Sequence, residues 1–338
     1  MHVSETPRPN VVTIGHAIVD VLGHASDRFL GDHHLVKGSM ELVDEDRAVP
    51  LYEAMVRSAG ESSLVVQSGG SAANTAVVSA ILGATTAFVG KVREDDLGYA
   101  FANDLHHVGV RYSTAFESGP GAAATGRCLI NVTPDAERTM CTYLGSARGI
   151  RVGDIDEELL SSATVTYVEG YLWDEVRAHE ALLHAISVVR SAGQRFSFTL
   201  SDSFLIDRFR AEFNQLIPSC VDILFANESE LCSLFETSDL EVGVARIGEM
   251  CEIATVTRGP LGSLVVRGTE VIEVAASPVD RVVDTTGAGD AYAGGFLYAF
   301  SEGLSMTRCA EIGNIAAAEV ISRLGARPTD ALVKLVHG

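Results

Sequence analysis

Short apolar runs rich in Val, Ile and Phe alternate with longer amphipathic ones along most of this chain, and this alternation limits the fold more than any other feature. The apolar runs cover residues 11–15, 64–67, 86–91, 164–168, 196–200, 221–225 and 253–257. Between most of them lie helical patterns over 72–82, 98–107, 175–192, 204–216 and 228–235. A strand covered on both faces needs apolar side chains at nearly every position, whereas its covering helix needs only an apolar stripe. The pattern therefore predicts an α/β fold with a mostly parallel sheet between two helical layers. A hairpin follows over 263–267 and 271–275 with Gly268 at its turn, and then two helices over 288–301 and 307–324.

Two stretches break the alternation, 19–44 and 111–146. Each has strand-like pieces and turns but no helix-length amphipathic run. In the second, runs at 127–132 and 138–144 flank the turn-rich segment 133–137. These stretches are expected to form a small β lid over the carboxyl ends of the main strands, where open α/β sheets bind ligands. The main domain would then comprise 1–18, 45–110 and 147–338.

The densest chemistry lies in Asp284-Thr285-Thr286-Gly287-Ala288-Gly289-Asp290, which opens onto the helical pattern at 288–301. Glycine reaches positive φ without strain, so such a turn can aim several N–H groups at one point. At a helix N-terminus those groups attract an anion such as phosphate. A carboxylate on the first helical turn can then take a proton from an incoming hydroxyl. Charge stabilisation beside a positioned base is what phosphoryl transfer to an alcohol requires. Asp is also a favoured helix cap, but capping needs no Gly-Ala-Gly approach.

Other readings fail on spacing. A dinucleotide fingerprint would need a glycine where Tyr292 stands, and no Gly-Lys-Ser/Thr of a P-loop occurs. His179 and His184 stand five apart, whereas the zinc-protease helix places its histidines four apart. The net charge of −20 argues against a nucleic-acid partner. An acidic protein that binds a nucleotide must use local N–H groups, a few arginines and a divalent cation. The six cysteines form no Cys-x-x-Cys pair, which suits free thiols in a reducing compartment. The polar N-terminus lacks a signal-peptide core, and no apolar run is long enough to span a membrane. A cytoplasmic protein is expected.

The chain resembles the ribokinase-like (PfkB) family of sugar and nucleoside kinases along almost its whole length. The resemblance rests on Gly15-His16-Ala17-Ile18-Val19-Asp20, Gly69-Gly70-Ser71-Ala72-Ala73-Asn74-Thr75, Asn227-Glu228-Ser229-Glu230 and the 284–290 turn, in the family's order. The segments 221–228 and 200–204 look most like the adenosine-kinase branch. The resemblance implies the ribokinase-like three-layer α/β/α fold, with ATP and Mg2+ as cofactors.

By the same resemblance, Asp290 is the general base and Gly287, Ala288 and Gly289 form the anion hole. Arg138 matches an arginine that the family sets on the moving phosphoryl group. Asp20, Gly70 and Asn74 would line the acceptor pocket, together with His16, which stands where adenosine-kinase-like sequences usually have Asn. Asn227 and Glu230 would serve phosphate and magnesium, although an Asn-x-x-Glu pair is also a good capping box. Thr257, Arg258, Gly259 and Gly262 would wrap the ATP, with adenine near Asn314. Asp284 and Thr286 would hold a monovalent cation, potassium being the family's usual choice. The expected activity is phosphorylation of a nucleoside hydroxymethyl group, adenosine first. The alternatives are a sugar acceptor such as ribose, fructose or 2-keto-3-deoxygluconate, or a non-catalytic nucleoside sensor. The family includes monomers and lid-paired dimers. Tyr171, Leu172 and Trp173 can be read equally as flat walls for a purine or as core.

Overall fold

The computed structural model describes residues 8–135 and 137–338. The first seven residues and Ala136 of the turn-rich segment lie outside it. Its strands are β1 (Val11–Ile14), β2 (Ile18–His24), β3 (Met40–Leu42), β4 (Val65–Gly69), β5 (Thr86–Val89), β6 (Val110–Tyr112), β7 (Gly126–Val132), β8 (Arg138–Tyr143), β9 (Val165–Glu169), β10 (Arg195–Thr199), β11 (Ile223–Asn227), β12 (Ile253–Thr257), β13 (Ser263–Arg267) and β14 (Glu270–Val274). Its helices are α1 (Asp27–Asp32), α2 (Glu45–Ala59), α3 (Ser71–Leu82), α4 (Asp96–His107), α5 (Glu157–Ser162), α6 (Val176–Ser191), α7 (Ser203–Cys220), α8 (Glu228–Leu234), α9 (Leu240–Met250), α10 (Ala288–Ser301), α11 (Met306–Ile321) and α12 (Ala331–His337).

The large sheet runs β14-β13-β12-β11-β10-β9-β1-β5-β6. It is parallel from β12 to β6 and antiparallel at the β12-β13-β14 edge. Burial explains its strand composition: Val11, Val12, Thr13 and Ile14 of β1 are all buried. Val11 joins the core under α3, α10 and α11, while Val12 and Ile14 join the core under α6, α7 and α9. These two cores lie on opposite faces of the sheet, between it and the two helical layers of a three-layer α/β/α sandwich. The antiparallel hairpin turns at Gly268, whose φ is 59°, as the sequence pattern predicts.

A second sheet runs β3-β8-β7-β2-β4. The chain enters it within three residues of leaving β1, so the 15–17 crossover lies at the seam between the two sheets. One strand departs from the sequence reading. The run at 64–67 was expected among the main strands, but β4 pairs antiparallel with β2 in the small sheet. Val65 and Val66, which point to opposite faces, are both exposed, which fits the start of an edge strand that is covered on neither side.

Several helices have no counterpart in the sequence reading. In α2 the helical pattern is interrupted by Pro50, which cannot donate to the residue four before it. Asp44 caps that helix by accepting from Arg47 N–H. In α9, Gly243 and Gly248 weaken the propensity signal; a Cβ on Gly248 would stand 2.1 Å from the Gly268 carbonyl. The short α1, α5 and α12 carry too few turns to show a period.

Candidate active site

The carboxyl ends of β1, β9, β11 and β12 open onto a cavity of about 490 Å³. Met40, Leu42, Cys128 and Thr142 of the small sheet form its opposite wall. His16, Asp20, Gly70, Asn74, Asn227, Glu230, Thr257, Thr286, Gly287, Gly289 and Asp290 all face this space. Thus residues more than 270 positions apart in sequence converge on one site.

The first turn of α10 shows why each glycine is there. Gly287 has φ 75°, and a Cβ on it would stand 2.5 Å from the Ala326 Cβ. Gly289 is different: among the described residues, nothing beyond its own helical turn lies within 4 Å of where its Cβ would be. The Ala288 N–H donates to the Thr285 carbonyl at 3.2 Å. Among the described residues, no backbone carbonyl accepts from the N–H groups of Gly287, Gly289 or Asp290. Free amides at an open helix start form an anion site.

Asp290 is clamped. Its Oδ1 accepts from Ser71 Oγ at 2.7 Å and its Oδ2 from Asn74 Nδ2 at 3.1 Å. Burial pushes its pKa up to about 6, against the lowering effect of the Ser71 and Asn74 hydrogen bonds. A carboxylate with that pKa is ionised at neutral pH yet is a stronger base than an ordinary Asp.

Asp20 faces the same cavity from β2. Burial also raises its pKa to about 6, while Arg327 and Arg138 pull it down. Gly69 makes room for it, since a Cβ there would lie 2.4 Å from Asp20 Oδ2. Gly70 has φ 91°, and a Cβ on it would reach within 2.3 Å of the His16 carbonyl oxygen. This doubled glycine thus lets the α3 start pass against the 15–17 crossover.

His16 is buried, and its Nδ1 lies 3.1 Å from Glu169 Oε1, which also accepts from the His16 N–H. Glu169 Oε2 accepts from the Ala72 N–H at 3.0 Å. Among the described residues, the His16 Nε2 has no hydrogen-bond partner. Glu169 was absent from the sequence reading; a carboxylate ending the otherwise uncharged run of β9 was the available signal.

Asn227 and Glu230 form a reciprocal capping box on α8. Asn227 N–H donates to Glu230 Oε2, and Glu230 N–H donates to Asn227 Oδ1. Burial raises the Glu230 pKa to about 7. The capping and site readings are compatible, because each carboxylate oxygen keeps a free lone pair while both residues line the cavity. Magnesium binds through one or two carboxylates plus water and phosphate oxygens, so Glu230 fits as an oxygen donor beside it.

Other expected residues lie outside the cavity lining. Arg138 Nη1 bonds to Asp284 Oδ2 at 2.7 Å. Asp284 also accepts from the Thr286 and Gly325 N–H groups. Arg258 pairs with Glu273 and Glu228. Gly259 and Gly262 shape the following turn with φ 55° and 89°. Asn314 Nδ2 donates to the Val274 and Ala275 carbonyls. Of the three aromatic-segment residues, Tyr171 lines the cavity beside Phe204 at a ring-centroid distance of 6.4 Å. Leu172 and Trp173 are core.

A family model for pfkB family carbohydrate kinases matches residues 40–331. The chain belongs to the pfkB family of carbohydrate kinases. It is a phosphotransferase with an alcohol group as acceptor. The kinase is 42% identical to a solved structure described as adenosine kinase from Sinorhizobium meliloti, covering 98% of this chain and 99% of that one with a TM-score of 0.87. A probable sugar kinase from Rhizobium etli CFN 42 matches at the same identity and TM-score, covering 98% of each chain. An adenosine kinase from Dictyostelium discoideum is 28% identical over 94% of this kinase and 95% of its own length.

Proposed function

We propose that this kinase transfers the γ-phosphoryl group of ATP to the 5′-hydroxymethyl group of adenosine, giving AMP and ADP. The observation that carries the reading is that Asp290 and Asp20 share one cavity with the open start of α10. Asp20 would accept ribose hydroxyls, with His16, Gly70 and Asn74 around the same sugar. Tyr171 and Phe204 would flank the base. Asp290 accepts the 5′-hydroxyl proton as that oxygen attacks the γ-phosphorus and the bond to the ADP oxygen breaks. The amides of Gly287 and Gly289 would hold the charge on the transferring group. Ala288 contributes backbone shape to this turn rather than a free amide.

Magnesium, held by Glu230 through water with Asn227 alongside, would neutralise charge on the phosphates. Thr257, Arg258, Gly259 and Gly262 would lie along the rest of the nucleotide, with Asn314 fixing the β14 backbone behind it. Arg138 would close the small sheet over the phosphates as a lid that excludes water. A potassium ion at Asp284 and Thr286 would have to share the Asp284 carboxylate with Arg138. Equal rates with and without potassium would remove it from the account.

The similar proteins include both an adenosine kinase and a probable sugar kinase, so the acceptor is the point to test. ADP release from Mg-ATP would be measured with adenosine, other nucleosides, ribose, fructose and 2-keto-3-deoxygluconate. Turnover with adenosine supports the reading; turnover with a sugar alone keeps the base and replaces the acceptor. A non-catalytic sensor would bind ATP and nucleoside without releasing ADP. The cysteines are free, which suits a reducing cytoplasm. A lid-paired homodimer would cover Val65 and Val66 at the β4 edge, whereas a monomer leaves them open.

A further inference from the structure

Behind the cavity, a buried arginine that the sequence reading did not single out touches the clamp on Asp290. Arg327 follows α11 in Gly325-Ala326-Arg327-Pro328, and it is buried. Its Nη1 bonds to Asp104 Oδ2 at 2.8 Å, and its Nη2 donates to Ser68 Oγ. Its Nε donates to Asn74 Oδ1 at 3.4 Å. The same Asn74 amide gives its Nδ2 protons to Asp290 Oδ2.

An Asn amide has an acceptor end and a donor end that are nearly identical in shape. Turned one way, Asn74 supports the ionised Asp290. Turned the other, it sets an oxygen against a carboxylate oxygen. A guanidinium on Oδ1 admits only the first orientation, because Arg has donors and no acceptor. The segment carrying Arg327 is itself braced at the active turn: Gly325 N–H donates to Asp284 Oδ2 at 2.9 Å, and Ala326 packs on Gly287. Pro328 restricts the backbone of Arg327 to extended conformations.

We propose that Arg327 is a positioning residue for phosphoryl transfer: it fixes the Asn74 amide so that its N–H group, and not its oxygen, faces the base Asp290. Arg327 also lies close enough to Asp20 to favour its ionised form, so one buried cation serves both carboxylates of the cavity. The inference rests on the reading of Asp290 as base. The other ionisable groups around Asp290 are Glu169 and Tyr167 of β9, Tyr171 beyond them, and Asp20 of β2. None of these is altered in the variants below. A purely structural alternative exists, in which Arg327 only ties Asp104 and Ser68 together behind β4.

The test uses Arg327→Lys, which keeps a cation for Asp104 but has no planar fork to reach Asn74 as well. Should that variant fail to fold, Arg327→Gln with Asp104→Asn removes both charges together. In each background the Asp290 titration is read as the infrared carboxylate difference against its Asp290→Asn counterpart, which needs no acceptor. Turnover of adenosine with Mg-ATP is followed across pH in parallel. The expected result is an Asp290 midpoint raised by about one pH unit, the size of losing one hydrogen bond to a charged group, with the acid limb of kcat/KM displaced upward by the same amount. Adding Asn74→Ala should produce no further shift beyond that of Asn74→Ala alone. An unmoved midpoint, or shifts that simply add, would overturn the proposal and leave Arg327 structural. Wild-type silence toward adenosine would instead fault the acceptor, with the titration still reporting on Arg327.

Discussion

Arg138 of β8 and Asp284 of the loop before α10 meet at 2.7 Å with both side chains about nine-tenths buried. This contact ties the small sheet to the turn that carries Asp290. Replacing Asp284 by Ala would leave the Arg138 charge buried without its partner, at a cost of about 3 kcal/mol. The pair is largely shielded from solvent, so added salt should change this loss little. Asp284→Ala should therefore melt well below the wild type. It should also release ADP without acceptor in a larger proportion, as water gains access. A variant that melts normally and shows no extra hydrolysis would break the proposed link between sheet and turn.

Gly287 and Gly289 should respond in opposite ways to the same substitution. Gly287→Ala meets positive φ and the Ala326 side chain, so it should lose at least about 2 kcal/mol of stability. Gly289→Ala meets open space and helical backbone, so it should fold and melt like the wild type. Its methyl group would nevertheless stand where a phosphoryl group must sit, and kcat/KM for ATP should fall by roughly 10²-fold. Full activity in Gly289→Ala would remove the anion-hole reading.

The raised pKa of Asp290 fixes the direction of two pH effects. Activity should fall as pH drops below about 6, because the base is then protonated. Stability runs the other way. The folded chain holds this proton more tightly than the unfolded one, so the contribution of Asp290 is fully present below its ordinary value of 3.8 and is lost as pH rises through about 6. A rate profile with an acid limb near pH 4 would contradict the burial argument.

Phe204 lines the cavity while remaining 49% exposed, so its loss should cost little stability. Phe204→Ala should raise KM for a purine nucleoside roughly three- to tenfold, the range of one aromatic contact, and leave kcat nearly unchanged. An unchanged KM would show that the base binds elsewhere.

The layered fold was readable because burial on both faces forces apolar residues into every main strand, as in β1 and β9. Sheet membership was harder to read. The β4 run is as apolar as a core strand, but its pairing with β2 is set by tertiary contacts. Within the site, Asp290 was visible because the Gly-Ala-Gly before it has no purpose in an ordinary helix cap, whereas Asp20, inside strand β2, was picked out only by the family resemblance. Glu169 and Arg327 were not visible, since their role depends on partners 153 and 253 positions away, His16 and Asn74. Asn314 and Arg258 show the converse: residues that the resemblance assigns to the nucleotide, whose side chains are engaged with backbone or with neighbouring acids.

The most direct test of the account is turnover of adenosine by the wild type and by Asp290→Asn, measured beside their melting curves. Asn preserves the volume and removes the proton acceptor, so kcat should fall by roughly 10²–10⁴-fold. Because the buried charge of Asp290 opposes folding at neutral pH, the variant should melt at the same temperature or a few degrees higher. A small loss of turnover that tracks a lower melting temperature would instead make Asp290 a helix cap and contradict the mechanism.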